Sequence, residues 1–288
     1  MKSSHYKSIA FQGMAGAYSD LACRMAYPEL ETVPCVSFDA AFRAVREKKA
    51  DLAMIPVDNS LAGRVADVHH LIPSGRLYII GEHFQKIHHC LLGIPGARID
   101  DLTDIHSHVH ALPQCKKIIE SLGLVSHVVA DTAKGASDIR KWADPTQAAI
   151  GSELAADIYG LAILKKDIQD AAHNTTRFLI FSGNNDVVPH RENRPYITSF
   201  VFEVRNIPAA LYKALGGFAT NGVQMAKLES YVGKHFNVAT FYADVEGHID
   251  ERPLQLAMEE LQFFAKRVEL LGTYPAHSFR ETTGNSVN

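Results

Sequence analysis

Cysteine is scarce in this 288-residue chain, with Cys23, Cys35, Cys90 and Cys115 and no CxxC pair among them. So few thiols at such spacings exclude a disulfide scaffold, and reduced, mostly buried side chains are expected. Long apolar runs are missing too. No stretch approaches the roughly 18 residues that a membrane span needs. The opening MKSSHYKSIAFQG lacks the ordered basic, apolar and cleavage regions of a signal peptide, so a cytosolic protein is the expectation. Charge of one sign is not in excess either. The 29 Lys and Arg against 32 Asp and Glu leave a net charge of −3, which excludes broad electrostatic attachment to nucleic acid or to a membrane surface.

What is present is ordinary globular material, 47% hydrophobic and 21% charged, in a chain long enough for two or three folding units. SIAFQ, TVPCVS and DLAMIPV read as strands separated by helical patterns at 17–26 and FDAAFRAVREKK. This alternation predicts parallel βαβ construction. It continues through LYIIGEHF, IHHCLLGI, a helix at about 110–122, VSHVVA, a helix TAKGASDIRKW with Thr132 as N-cap, the step AAIGS–ELAADIYG, and TTRFLIFS. Residues 183–195 break the periodicity with Gly, Asn, Pro and charge and read as a linker. Beyond them the order becomes β-α-β-β-α-β over 196–278, a ferredoxin-like arrangement, with Pro208 in the first helical turn and Gly222 past a helix end. The expected organisation is an α/β catalytic or binding region at 1–182, the linker, a small α/β sandwich at 196–278 and a tail at 279–288.

Four segments carry chemistry. In FQGMAGAYSD a strand meets a Gly13-x-x-Gly16 turn and a helix start near Ala17, which could receive an anion or be an ordinary tight turn. The pattern is neither GxGxxG nor a Walker A, which disfavours a nucleotide. IPVDNSLAGRV sets Asp58, Asn59, Ser60, Gly63 and Arg64 at the end of a strand, suited to carboxylate or hydroxyl recognition or to capping a helix. In IHSHVHALPQC, His106, His108 and His110 alternate and invite a metal, but no carboxylate follows, and the chain is histidine-rich elsewhere. Substrate contact or helix capping by Ser107 and His108 is the preferred reading. HNTTRFLIFS offers Asn174, two hydroxyls in Thr175 and Thr176, and Arg177, a natural partner for a carboxylate.

In this order, GxxGxYS, IPVDNSLAG, SHVHALPQC and NTTRF resemble the prephenate dehydratase family over residues 8–182, followed by an ACT-like module. The resemblance implies a two-lobed fold like that of periplasmic binding proteins, with the active site in the inter-lobe cleft. It implies a cofactor-free and metal-free conversion of prephenate to phenylpyruvate, with arogenate dehydration or non-enzymatic anion binding as alternatives. Carried over by position, the catalytic set is Thr176, Arg177, Ser107 and His108. The substrate-binding set is Ser19, Asn59, Ser60, Gly63, Gln114, Asn174, Thr175 and Phe178. Effector binding, with L-phenylalanine as the implied ligand, falls on Asn206, Ala209, Ala210, Leu211, Glu229 and Ser230, and the implied assembly is a homodimer or homotetramer. The chain departs from commoner family forms in SHVH for SHPQ and in ESYV for ESRP.

Overall fold

The computed structural model describes residues 6–74, 76–185, 187–205, 207–232 and 238–280. The chain divides into two compact units, Met1–Val68 with His83–Phe178, and His69–Glu82 with Leu179–Asn288.

Two sheets draw mainly on the first unit, although residues 69–82 and 179–182 of the elements in them and between them belong to the second. One is built from β1 (Ser8–Gln12), α1 (Tyr18–Ala26), β2 (Glu31–Cys35), α2 (Phe38–Arg46) and β3 (Leu52–Asn59). A two-residue strand β4 (Gly63–Arg64) folds back on β3, and short helices α3 (Ala66–His69) and α4 (Leu71–Ser74) lead to β5 (Tyr78–Lys86). The other contains β6 (Cys90–Gly93), β7 (Asp104–His108), α5 (Lys116–Ser121), β8 (Val125–Val129), α6 (Thr132–Trp142), β9 (Gln147–Gly151), α7 (Glu153–Tyr159) and β10 (Ala162–Lys165). The chain then returns through β11 (Thr175–Ser182). The sheet orders are β2-β1-β3-β11-β5 and β10-β6-β9-β7-β8. β1 pairs in parallel with β2 and β3, and β7 with β8 and β9, as the alternation predicts. β10, a strand not expected from the alternation, runs antiparallel to β6.

Local chemistry explains the helices. Ser37 accepts the Ala40 amide at 3.1 Å to start α2, whose Ala41, Phe42 and Val45 face the core while Arg43 and Arg46 close its last turn. The start of α6 is a correction: the cap is Asp131, which accepts the Lys134 amide at 2.7 Å, and Thr132 is the first helical residue. The helix placed at 110–122 is also shorter, because Pro113–Cys115 form a 3₁₀ turn and α5 begins only at Lys116. All four cysteines are free thiols, with Cys23, Cys90 and Cys115 buried.

In the second unit, β12 (Tyr196–Val204), α8 (Ala210–Thr220), β13 (Met225–Val232), β14 (Val238–Glu246), α9 (Arg252–Phe264) and β15 (Ala265–Pro275) give the expected βαββαβ order. The antiparallel sheet runs β13-β14-β12-β15. Phe200, Phe202, Ala243 and Val245 from one sheet face pack with Ala214, Phe218, Leu254 and Leu261 of the two helices. Pro208 lies before the helix rather than in its first turn, since Ala209 is the N-cap, with a left-handed φ of 60°. Gly222 does follow the helix end, at φ 67°. The stretch read as a linker is tied to the sheet. His248 bonds the Val188 carbonyl at 2.8 Å, and the Tyr196 hydroxyl donates to the Pro189 carbonyl and accepts the Arg191 amide. Among the described residues, no helix is long and apolar enough to cross a membrane.

Candidate active site

Three strand ends converge on a cleft of about 480 Å³ in the first unit. β3 ends at Asn59, β11 begins at Thr175, and β7 ends at His108 ahead of the Pro113 turn. Of the residues singled out in the sequence, Ser19, Asn59, Gly63, His108, Gln114, Asn174, Thr176 and Phe178 line the cleft together.

The centre is a chain of amides whose orientation is fixed from one end. Asn59 Oδ1 accepts the backbone N–H groups of Leu61 and Ala62 at 2.9 and 2.8 Å, which identifies its other terminal atom as the –NH₂. That nitrogen donates to Asn174 Oδ1 at 2.8 Å and to Thr176 Oγ1 at 2.9 Å. Asn174, only 1% exposed, in turn donates through Nδ2 to Gln114 Oε1 at 2.6 Å. The bond that Thr176 accepts uses a lone pair, so its own proton remains for donation. A hydroxyl whose acceptor side is held by the protein is suited to donating toward a departing oxygen.

Four residues from the sequence analysis sit elsewhere, and each has a physical reason. Alternation along β11 places Thr176 and Phe178 on the cleft side and sends Thr175 and Arg177 to the other face. Arg177 is 6% exposed, with Nη1 3.8 Å from Asp58 Oδ2, so it does not stand ready for a substrate carboxylate. Ser107 is fully buried and donates its hydroxyl proton to the Ile150 carbonyl at 2.9 Å, joining β7 to β9. Ser60 clips the β3 end to β11, donating to the His173 carbonyl at 2.6 Å and accepting the Thr175 amide at 2.9 Å.

The turn at Gly13–Gly16 does not hold an anion from outside. Its amides already face the protein's own carboxylates: Gly16 N–H donates to Asp20 at 2.9 Å and Met14 N–H to Asp131 at 3.2 Å. The glycine at 16 is required by contact as well as by its φ of 88°, because a Cβ there would lie 2.9 Å from Ala155 Cα. Ser152 Oγ caps α7 and donates to the Gly16 carbonyl, and Tyr159 donates to the Ala15 carbonyl. This turn is a joint between the two sheets' helices.

Further lining residues, outside the catalytic and substrate-binding sets, include Arg64, Tyr18 and His89. Arg64, on β4, is the one Arg or Lys among the described lining residues. Tyr18 and His89 meet at 2.8 Å, and His89 Nε2 lies 2.9 Å from Gln114 Oε1. Burial lowers the His89 pKa, and it also lowers that of His108, helped by His110 nearby. Both imidazoles are therefore neutral near pH 7. His106 takes no part: it bonds Gln147 at 2.7 Å and stacks on His127. Among the described residues, no three His, Cys, Asp or Glu side chains are grouped to hold a metal ion.

The effector residues are divided in the second unit. Ala210 lines a small cavity with Ile207, Lys213 and Phe264, and Leu211 packs on the core. Glu229 pairs with Lys227 along β13, which also carries Ser230. Asn206 lies outside the described residues.

The fold, with its hydroxyl-bearing cleft and a further βαββαβ unit, is that of a two-lobed dehydratase, a carbon–oxygen lyase. The model of the prephenate dehydratase family matches residues 9–186, and the chain belongs to that family. It is 49% identical over 273 residues to a bifunctional N-acyl-homoserine lactone acylase/prephenate dehydratase of Komagataeibacter europaeus, covering 94% of this chain and 97% of that relative. It is 40% identical over 277 residues to arogenate dehydratase/prephenate dehydratase 2 of Arabidopsis thaliana, covering 93% and 72%. The solved structure of a prephenate dehydratase from Arthrobacter aurescens in complex with L-Phe matches with a TM-score of 0.85 at 27% identity, covering 97% and 98%.

Proposed function

We propose that this protein converts prephenate to phenylpyruvate, with residues 1–182 as the catalytic region and the module at 196–278 as its ACT-type regulator. The observation that carries this reading is the Thr176 hydroxyl, oriented by Asn59 within the cleft.

The reaction breaks two bonds of the substrate. The electron pair of the C–CO₂⁻ bond moves into the ring, the ring–oxygen bond across from it breaks, and hydroxide leaves with a proton as water. Carbon dioxide and an aromatic ring remain. Hydroxide is a poor leaving group, so a donor aimed at that oxygen lowers the barrier. Thr176 supplies the hydrogen bond. Arg64 takes over from Arg177 as the cation for the carboxylate that stays. The apolar side of the lining, Phe38, Ile87 and Phe178, suits the carboxylate that leaves, because a weakly paired carboxylate gives up its electrons more readily. His108, neutral and in the lining, is a second donor or a relay through water.

L-phenylalanine, the ligand named in the Arthrobacter complex, is the proposed effector at the ACT-type module of a homodimer or homotetramer. A ligand there inhibits only through unequal affinity for two states of the enzyme. Turnover of prephenate and of arogenate, each with and without phenylalanine, tests these readings together. Faster turnover of arogenate reassigns the substrate, and the absence of turnover of either removes the catalytic reading. Hydrolysis of an N-acyl-homoserine lactone in a parallel sample tests the second activity named for the Komagataeibacter relative.

A further inference from the structure

We propose that His89, an Nε2–H tautomer braced by Tyr18, is a positioning residue that helps hold the amide –NH₂ of Gln114 toward the cleft as a substrate anchor. The inference deepens the dehydratase reading of this cleft and rests on it for its kinetic consequences, but not for its spectroscopic one.

Hydrogen-bond polarity is propagated along the amide chain. Its starting point is the backbone: the Leu61 and Ala62 amides fix Asn59 with its nitrogen toward Asn174. Asn174 must then present its oxygen to Asn59 and its nitrogen to Gln114. The Gln114 atom that receives this bond is therefore the oxygen, and the same atom lies 2.9 Å from His89 Nε2. Two acceptors cannot face each other at that distance, so Nε2 carries a proton. Reversing Gln114 would require reversing Asn174 and then Asn59, setting the Asn59 nitrogen against two backbone N–H groups.

The remaining ring nitrogen is accounted for as well. His89 is 2% exposed, which opposes a charged ring, so Nδ1 is an acceptor. The Tyr18 hydroxyl lies 2.8 Å from it and 2.7 Å from the His88 carbonyl, and shares its proton between them. The ring also meets the Tyr18 ring edge-on, with centroids 5.3 Å apart, which fixes its plane. Gln114 Oε1 is thus committed to two internal donors. Its –NH₂ arm is what Gln114, as a lining residue, has to offer a bound molecule. An anionic or carbonyl oxygen of the substrate is the matching group.

The experiment combines ¹⁵N-edited imidazole NMR of the full-length protein with steady-state kinetics on prephenate. Wild-type His89 is expected to show the Nε2–H pattern at neutral pH, and an Nδ1–H pattern overturns the proposal whatever the substrate proves to be. His89→Leu is expected to raise KM by about tenfold to a hundredfold, the range for one hydrogen bond to a charged group, with kcat changed much less. His89→Gln restores a nitrogen donor and is expected to recover most of that loss. Equal impairment of the two variants, or a fall in kcat at unchanged KM, overturns the positioning role. Should His89→Leu fail to fold, Tyr18→Phe serves instead. It leaves the ring in place, and Gln114 Oε1 still requires the Nε2 proton, so the Nε2–H pattern is expected to persist with a raised KM, and an Nδ1–H pattern or an unchanged KM overturns the proposal. Wild-type protein that turns over no prephenate yet shows the Nε2–H pattern defeats the dehydratase reading and not this assignment of the ring.

Discussion

Both units bury a network of polar side chains, and the network of the first borders the cleft. In the first, Asn59, Asn174, Gln114 and His89 form a chain that ends on lining hydroxyl and amide groups. In the second, Ser199 and the Tyr242 hydroxyl both donate to Asp244 Oδ1, and Tyr274 lies 2.9 Å from Ser199, with all four residues at most 2% exposed. The second network lies within the sheet and specifies how its strands pack. The first leaves the Thr176 hydroxyl, its acceptor side held by Asn59, in the lining of the cleft. Buried polarity therefore points to function where it reaches the lining of a cleft, and to architecture where it joins neighbouring strands of a sheet.

The largest effect that tests this contrast is Thr176→Ala. It should fold normally and lose about 10²–10³ in kcat, the usual loss for one preorganised donor. Near wild-type turnover of prephenate would erase the functional half of the comparison. Asp244→Ala should do the reverse, costing about 1–3 kcal/mol of stability because two buried hydroxyls lose their acceptor, while kcat stays within about twofold. Thermal melts and kinetics on the same sample separate the two outcomes. Ser107→Ala is smaller and sharper. If its hydroxyl only ties β7 to β9, the cost is about 1 kcal/mol with turnover retained, whereas a hundredfold loss of kcat would return Ser107 to the chemistry. The mildest effect is on pH dependence. His89 and His108 have folded-state pKa values below their ordinary 6.5, so the unfolded chain binds more protons as acid is added. Stability should be flat above pH 6.5 and fall below it, and His89→Gln should flatten part of that fall in melts from pH 7.5 to 5.

Much of the fold is legible in the chain because burial writes a period into it. The continuous run of LAMIPV reads as a covered strand, and β3 is one, while 252–264 carries the helical repeat that buries Leu254, Ala257, Met258 and Leu261. Thr132 and Asp131 show the limit of this reading. Either can cap a helix, and the choice fell to Asp131, whose second oxygen also bonds Met14, 117 residues away in sequence. The site shows the same division. The alternation in TTRF already separates Thr176 from Arg177, a signal present in the sequence and outweighed by reading the motif as one block. No comparable signal marks Tyr18 and His89, which are 71 residues apart and meet only in the folded chain.

The sequence by itself determined the classes of element, their βαβ and βαββαβ order, and the motifs that carry Asn59, Asn174 and Thr176, which the family resemblance joined into one site. These depend on short-range periodicity and on motifs whose residues lie within a few positions of each other. Tertiary structure alone decided which polar groups face the cleft and which are spent on the frame, as with Ser107, Ser60, Arg177 and the amides of the Gly13–Gly16 turn. A donor or acceptor has no function until its partner is known, and for each of these groups the partner is supplied by a distant part of the chain or by the face on which the side chain falls.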